Sequence, residues 1–300
     1  MKPDIEKLRL SGRISATARE TCKNMIEPGV RLEEIALEAE RIIRSMGGEP
    51  AFPAQLSRNH IAAHYCSPPG DPTVVQPGDI IKLDLGTQVD GYVTDNAVTV
   101  DLENGPDSAI VAASRMALEN AISVMGPGAS ITEIGHQIEQ TVKAFGFNPV
   151  YNLTGHGVAR FVIHCAPSIP NYPDPGAGRL KPNQTIACEP FVSTGKGYID
   201  TKGKAEVFGL KRKPKPKDRL PDDVLEALDA CAGLPFARRT LKRVLKTDKR
   251  VEDALKQIKR AKILIDYPPL VERDGVRVAQ TEHTIFIGED GAEVLTRAPE

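Results

Sequence analysis

The sequence predicts an α+β chain of two similar halves, with a helical segment inserted before its last strands. Three observations predict it. A gapless internal repeat sets Glu27 to Pro50 on Gly126 to Pro149, with Pro28 falling on Pro127. β-rich sequence follows each copy, and a basic, Pro-interrupted and then helical stretch over 209–263 separates the second β-rich region from a closing one.

Taken in order, residues 4–26 read as a helix that leads into the first copy. Within that copy Leu32, Ile35, Ala39, Ile43 and Met46 recur at intervals of three and four residues, which places them on one helical face. Residues 107–125 read as the equivalent leading helix of the second half. Ile131, Ile134, Ile138, Val142 and Phe145 repeat the spacing in the second copy, and Ser130 with Glu133 reads as a capping box opening it. Pro-Gly pairs stand at the start of both copies, and Gly47 with Pro50 and Gly146 with Pro149 stand at their ends, flanking the helical face. β-rich sequence runs from Phe52 to Leu102 and from Tyr151 to Val207. Lys202 to Arg219 is basic and broken by prolines, and Pro221 to about Ile263 is helical and charge-rich. β character returns with Val276 to Ile287.

Composition narrows the function classes. With 39 basic and 40 acidic residues, the net charge of −1 argues against a dedicated nucleic-acid binder or a polybasic membrane anchor. Hydrophobic residues make up 40% and charged residues 26%, enough for a full core. No apolar run approaches the ~18 residues of a membrane span, and the first twenty residues mix both charge signs, so a cytoplasmic protein is expected. Five scattered cysteines without a CxxC motif argue against a disulfide framework or a zinc ribbon.

The most informative segment is DIIKLDLGTQVDGYVTDNAVTVDL. Two alternating strands meet at Asp90-Gly91, a two-residue hairpin signal. A turn centred there sets Asp84 opposite Ala97 and Asp95 opposite Gly86, so Asp84 and Asp95 share one face as diagonal neighbours. Two carboxylates facing inward from apolar strands are costly unless a positive centre lies between them, and a divalent metal explains both. His156 lies between glycines in TGHGVARFVIH, with His164 eight residues on. Glu189 in TIACEPF and Glu282 in AQTEHTIFI interrupt apolar strand patterns. Singly, each has a bland reading as a satisfied buried polar group. Together they offer four carboxylates and an imidazole.

The order Asp84, Asp95, His156, Glu189 and Glu282, in the contexts LDLG, TDNAVT, GHGV, ACEPF and TEHT, resembles the dimetal methionine aminopeptidases of the pita-bread fold. The resemblance covers nearly the whole chain, including FPAQLSRNHIAAHYCSPPGD and YPPLVERDGVRVAQTEHT. The long interval between Glu189 and Glu282, which holds the helical insert, is similar to type 2 members. The lack of a long charged leader is similar to their short archaeal form. By resemblance, residues 1–300 form one catalytic metallopeptidase domain of two pseudo-symmetric halves, with 209–263 as the insert.

The resemblance implies two divalent ions held by Asp84, Asp95, His156, Glu189 and Glu282, with cobalt, manganese, iron and zinc all fitting such ligands. It implies Glu189 as proton shuttle, His64 near the leaving nitrogen and His164 at the developing oxyanion. Phe52, Ile163, Phe191 and Tyr267 match the methionine pocket, whereas Val207 stands where animal type 2 enzymes carry a histidine. His60, His136 and His283 read as structural. The activity implied is release of initiator methionine from nascent polypeptides whose second residue is small, and by that rule this chain keeps Met1 because Lys2 is long. A monomer with no membrane partner is expected. Lys211 to Arg219 reads as a solvated loop, with a transient contact to ribosomal RNA as the lesser reading. A proline-specific peptidase of the same fold and a non-catalytic binding protein are the alternatives.

Overall fold

A computed structural model describes residues 3–106 and 108–298, so Met1 and Lys2, on which the retained-methionine expectation falls, lie outside it. Each half opens with two helices. In the first these are α1 (Ile5–Lys23), capped by the Asp4 carboxylate accepting from Lys7 N–H, and α2 (Leu32–Ser45). Four of the five apolar positions read on the first copy, Leu32, Ile35, Ala39 and Ile43, are buried. Met46 instead caps the end of α2 and is 42% exposed, because the last turn has already left the core face. Short strands β1 (Glu49–Pro50), β2 (Gln55–Arg58) and β3 (Ile61–Ala63) follow, then the hairpin β4 (Ile80–Val89) and β5 (Tyr92–Asp101). The turn has φ +50° at Asp90 and +85° at Gly91, the two positive values a type I′ turn needs. Its register sets Asp84 opposite Ala97 and Gly86 opposite Asp95, as counted from the sequence.

The second half repeats the order with α3 (Ala109–Ser123) and α4 (Ile131–Ala144), where Ser130 Oγ accepts from Glu133 N–H. It continues with β6 (Asn148–Pro149), β7 (Thr154–Ala159), β8 (Val162–Pro170), β9 (Gln184–Cys188) and β10 (Phe191–Ser193). In each half the helix pair covers a sheet. Ile35, Ala39 and Ile43 pack with Leu56, Ile81 and Leu83, and Ile134, Ile138 and Val142 pack with Ile169, Ile186 and Ile285. Burial of each such isoleucine contributes about 1.5–3 kcal/mol.

β11 (Asp200–Thr201) and β12 (Val207–Leu210) lead to a 3₁₀ turn over Pro216–Asp218 and to α5 (Asp222–Ala230), α6 (Arg238–Leu245) and α7 (Asp248–Arg260). These helices close on their own core of Phe208, Val224, Phe236, Leu241 and Ile258. The chain ends in β13 (Leu264–Tyr267), β14 (Leu270–Val271), β15 (Val278–Gln280), β16 (His283–Ile287) and β17 (Ala292–Val294). β structure therefore returns a dozen residues earlier than the sequence suggests. β13 pairs with β12, and β14 lies between β3 and β11. Both are short and are separated by Pro268-Pro269, which hides any alternating pattern.

The halves meet where β5 faces the turn between β15 and β16. Ala97 and Glu282 exchange backbone hydrogen bonds of 3.4 and 3.1 Å. Thr284 Oγ1 accepts from Asp95 N–H and donates to Asp95 O, each at 2.7 Å. Thr99 Oγ1 accepts from Gln280 N–H at 2.9 Å and donates to Gln280 O at 2.6 Å. That seam brings acids from distant parts of the sequence to one place. No helix among the described residues is long and apolar enough to cross a membrane.

Candidate metal centre

Asp84 projects from β4 and Asp95 from β5, on the face shared through the hairpin register. His156 comes from β7, its ring nitrogen Nε2 3.5 Å from Glu189 Oε1 and 3.8 Å from Asp95 Oδ2. Donor atoms of Asp95, His156 and Glu282 all lie within 4.8 Å of one another. Glu189 and Glu282 are not inside strands, as the sequence pattern suggests. Glu189 immediately follows β9, where Pro190 ends the ladder for want of an N–H, and Glu282 occupies the gap between β15 and β16.

Asp95 is 4% exposed and Glu282 1%, and no lysine or arginine forms an ion pair with any of the four acids among the described residues. Asp84 Oδ1, Asp95 Oδ1 and Glu282 Oε1 are buried with no hydrogen-bond partner. Burial raises the pKa of Asp84 to about 7. Burial, reinforced by the neighbouring carboxylates, raises Asp95, Glu189 and Glu282 well above the usual range. His156 is pushed down to about 3, by burial first and by His164 second, which leaves its imidazole neutral and free to ligate. Orphaned carboxylate oxygens, mutual repulsion and a neutral imidazole together fit divalent cations, since positive charge at this point would satisfy all three.

A cleft of about 260 Å³ opens onto the cluster. Asp84, Asp95, His156 and Glu189 reach it, while Glu282 stays beneath its surface. Phe52, Ile163, Phe191 and Tyr267 line its apolar walls, and His64 and His164 its polar side. Val207, the departure noted in the sequence, is buried on β12 opposite Tyr267 and forms part of the same wall. The rings of His156 and His164 are 4.1 Å apart. His64 sits at φ +66°, a rare backbone setting for a side chain with a Cβ, and its N–H donates to Gln55 Oε1 at 2.8 Å. Its Nδ1 is buried without a partner, and burial lowers its pKa to about 4. Of the histidines read as structural, His136 is exposed on α4, His60 pairs with Asp274, and His283 points away from the cluster to Thr296 Oγ1.

Sequence reading missed Gln280. Its Nε2 donates to Glu189 Oε2 at 3.1 Å and reaches Asp84 Oδ2 at 3.5 Å, so one amide orders two of the acids. Its position two residues before Glu282 was the available signal, by strand alternation. Pro235 and Leu270 also line the cleft, and no local pattern marks either of them. Gly86 has a packing reason: a Cβ there would lie 2.5 Å from the Phe52 ring and 3.0 Å from Thr94 O. Gly86→Ala is therefore expected to displace Phe52 from the cleft wall and lower stability by about 1–3 kcal/mol, the usual cost of overpacking. Thermal melting checks this, and an unchanged midpoint would contradict it.

Residues 6–212 match the sequence profile of metallopeptidase family M24. A methionine aminopeptidase of Thermococcus onnurineus is 40% identical over 293 residues, covering 97% of this chain and 99% of the relative. One from Methanothermobacter thermautotrophicus is 36% identical over 295 residues, covering 97% and 98%. Among solved structures, a methionine aminopeptidase of Thermotoga maritima superposes with a TM-score of 0.71 at 27% identity, over 99% of this chain and 100% of that one. With an α+β pita-bread fold and an acid-rich cluster built for divalent metal, the chain belongs to metallopeptidase family M24.

Proposed function

We propose that the chain is a metal-dependent methionyl aminopeptidase, which removes the amino-terminal methionine from polypeptides whose second residue is small. The observation that carries this is an apolar pocket ending directly on the acid cluster, with His64 and His164 beside it. Such a pocket suits one unbranched, polarisable side chain and leaves the first peptide bond at the acids. The match of near full length to curated methionine aminopeptidases supports the same reading.

Asp84, Asp95, His156, Glu189 and Glu282 would hold two divalent ions, of cobalt, manganese, iron or zinc. The chemistry such ions supply when bound is Lewis acidity toward the scissile carbonyl and the attacking water. The chain's own groups position substrate and move protons. Phe52, Ile163, Phe191, Val207 and Tyr267 seat the methionine side chain. Glu189 accepts a proton from the water as it adds to the carbonyl carbon, and returns it to the amine as the C–N bond breaks. His164 donates a hydrogen bond to the developing oxyanion, and His64 serves the leaving nitrogen. A large second side chain would collide with the cleft wall beside the acids.

In this reading residues 1–300 act as one catalytic domain with 209–263 as its insert, monomeric and cytoplasmic, on the amino termini of nascent polypeptides. For Lys211 to Arg219 the solvated reading stands ahead of a ribosome contact, and pelleting with ribosomes that drops when those lysines are neutralised would reverse the order. Met-Ala-Ser is expected to lose methionine and Ala-Pro peptides to remain uncut. Cleavage of Ala-Pro with Met-Ala-Ser intact would favour the proline-specific alternative instead.

A further inference from the structure

The methionine pocket draws on four parts of the chain: Ile163 and Phe191 come from the second half, and the other three parts meet at the insert. Phe52 and His64 come from the first half, Val207 and Tyr267 from the strands at the base of the insert, and Pro235 from the loop between α5 and α6. Something must hold the insert at a fixed distance from the first half if the walls are to keep their spacing.

Arg239, in the first turn of α6, spans that boundary. Its Nε donates to Glu40 Oε1 at 2.8 Å, and Nη2 lies 2.7 Å from the same oxygen. Nη2 also donates to Ala54 O at 3.0 Å, and Nη1 donates to Cys66 Sγ at 3.0 Å and Ser67 O at 3.2 Å. All three nitrogens are engaged, on three segments of the first half that lie 172 to 199 residues before Arg239. Ala54 is two residues from Phe52, and Cys66 is two residues from His64. Cys66 packs with Ala237, Val207 and Tyr267, so the guanidinium borders the cluster behind the pocket wall. Glu40, 4% exposed, is held in turn by Arg44 Nη2 at 3.2 Å and accepts from Ala54 N–H at 3.3 Å. Arg239 itself does not line the cleft.

We propose that Arg239 is a positioning residue that latches the insert to the first half and thereby sets the width of the methionine pocket. The proposal rests on the methionyl aminopeptidase reading. A planar fork engaging Glu40, Ala54 O, Cys66 and Ser67 O together cannot be replaced by the single ammonium of lysine. Because the acids project from or beside strands that Arg239 does not touch, loosening the latch should alter how methionine is seated far more than how the bond is broken.

The test uses Arg239→Lys, Arg239→Met and Glu40→Gln, each assayed with Met-Ala-Ser and Leu-Ala-Ser in the metal-loaded protein. Expected is a KM for Met-Ala-Ser raised about tenfold with kcat changed less than threefold, and a smaller preference for methionine over leucine. Arg250→Met, which breaks an ion pair with Asp223 inside the insert, should lower thermal stability without moving KM or preference. Wild-type KM and preference in all three variants would overturn the latch, as would an Arg250→Met that moves them equally. If the arginine variants do not fold, Glu40→Gln decides alone. Failure of the underlying activity is distinguishable, since the wild-type protein would then release no methionine.

Discussion

Glu189→Gln is expected to lower kcat for methionine release by a factor of about 10²–10⁴, the usual contribution of a positioned acid or base. The substitution keeps the shape of the side chain and its amide oxygen can still accept from Gln280 Nε2, which donates to Glu189 at 3.1 Å. What it removes is the basic oxygen 3.5 Å from His156, the atom able to take a proton from water at the head of the cleft. The fold should survive, because Glu189 is one of several buried carboxylates that repel one another, and neutralising one relieves that repulsion. Melting of the metal-free protein should be unchanged or raised while turnover falls. A variant with kcat within tenfold of wild type would place the shuttle on another group.

The second large effect concerns stability. Asp84 has an ordinary pKa of 3.8 and is raised to about 7 in the folded, metal-free protein. Between these values the native state keeps a proton that the unfolded chain gives up, so stability is present at low pH and is lost as pH rises toward 7. For Asp84 alone the loss is up to about 4 kcal/mol, and Asp95, Glu189 and Glu282 shift in the same direction. Cations that bind only the ionised native cluster reverse the effect, adding about 2.7 kcal/mol at a hundred times Kd. Calorimetry on chelated and manganese-loaded protein should therefore show metal raising the melting temperature by several degrees at pH 8 and little at pH 5. Acids whose pKa is lowered by outside partners, such as Asp79 beside Arg58 and Asp101, act oppositely but equally in both forms and cancel in the difference. A melting temperature independent of metal at pH 8 would contradict the cluster's reading.

These expectations differ in how much of their basis was visible in the chain. The hairpin register was legible because a two-residue Asp-Gly turn leaves one pairing that keeps apolar residues inward. The α2 and α4 faces were legible because helical spacing is local. The seam between β5 and the β15–β16 turn was not, since Ala97 and Glu282 pair across 185 residues through one isolated bridge and two threonine side chains. Local pattern likewise misplaced Glu189 and Glu282 inside strands and gave no hint of β13 or β14. The pocket wall at Val207 and Pro235 depends on how the insert sits, which no periodicity encodes. Gln280 could have been found from alternation with Glu282, but its role depends on where Asp84 and Glu189 end up.

The most direct test of the account is methionine release from Met-Ala-Ser by protein stripped with chelator and then resupplied with Mn²⁺ or Co²⁺. Stripped protein should release no methionine and should recover fully on adding metal, with Asp95→Asn failing to recover. Release that persists after complete stripping, or its absence at every metal concentration, would contradict it.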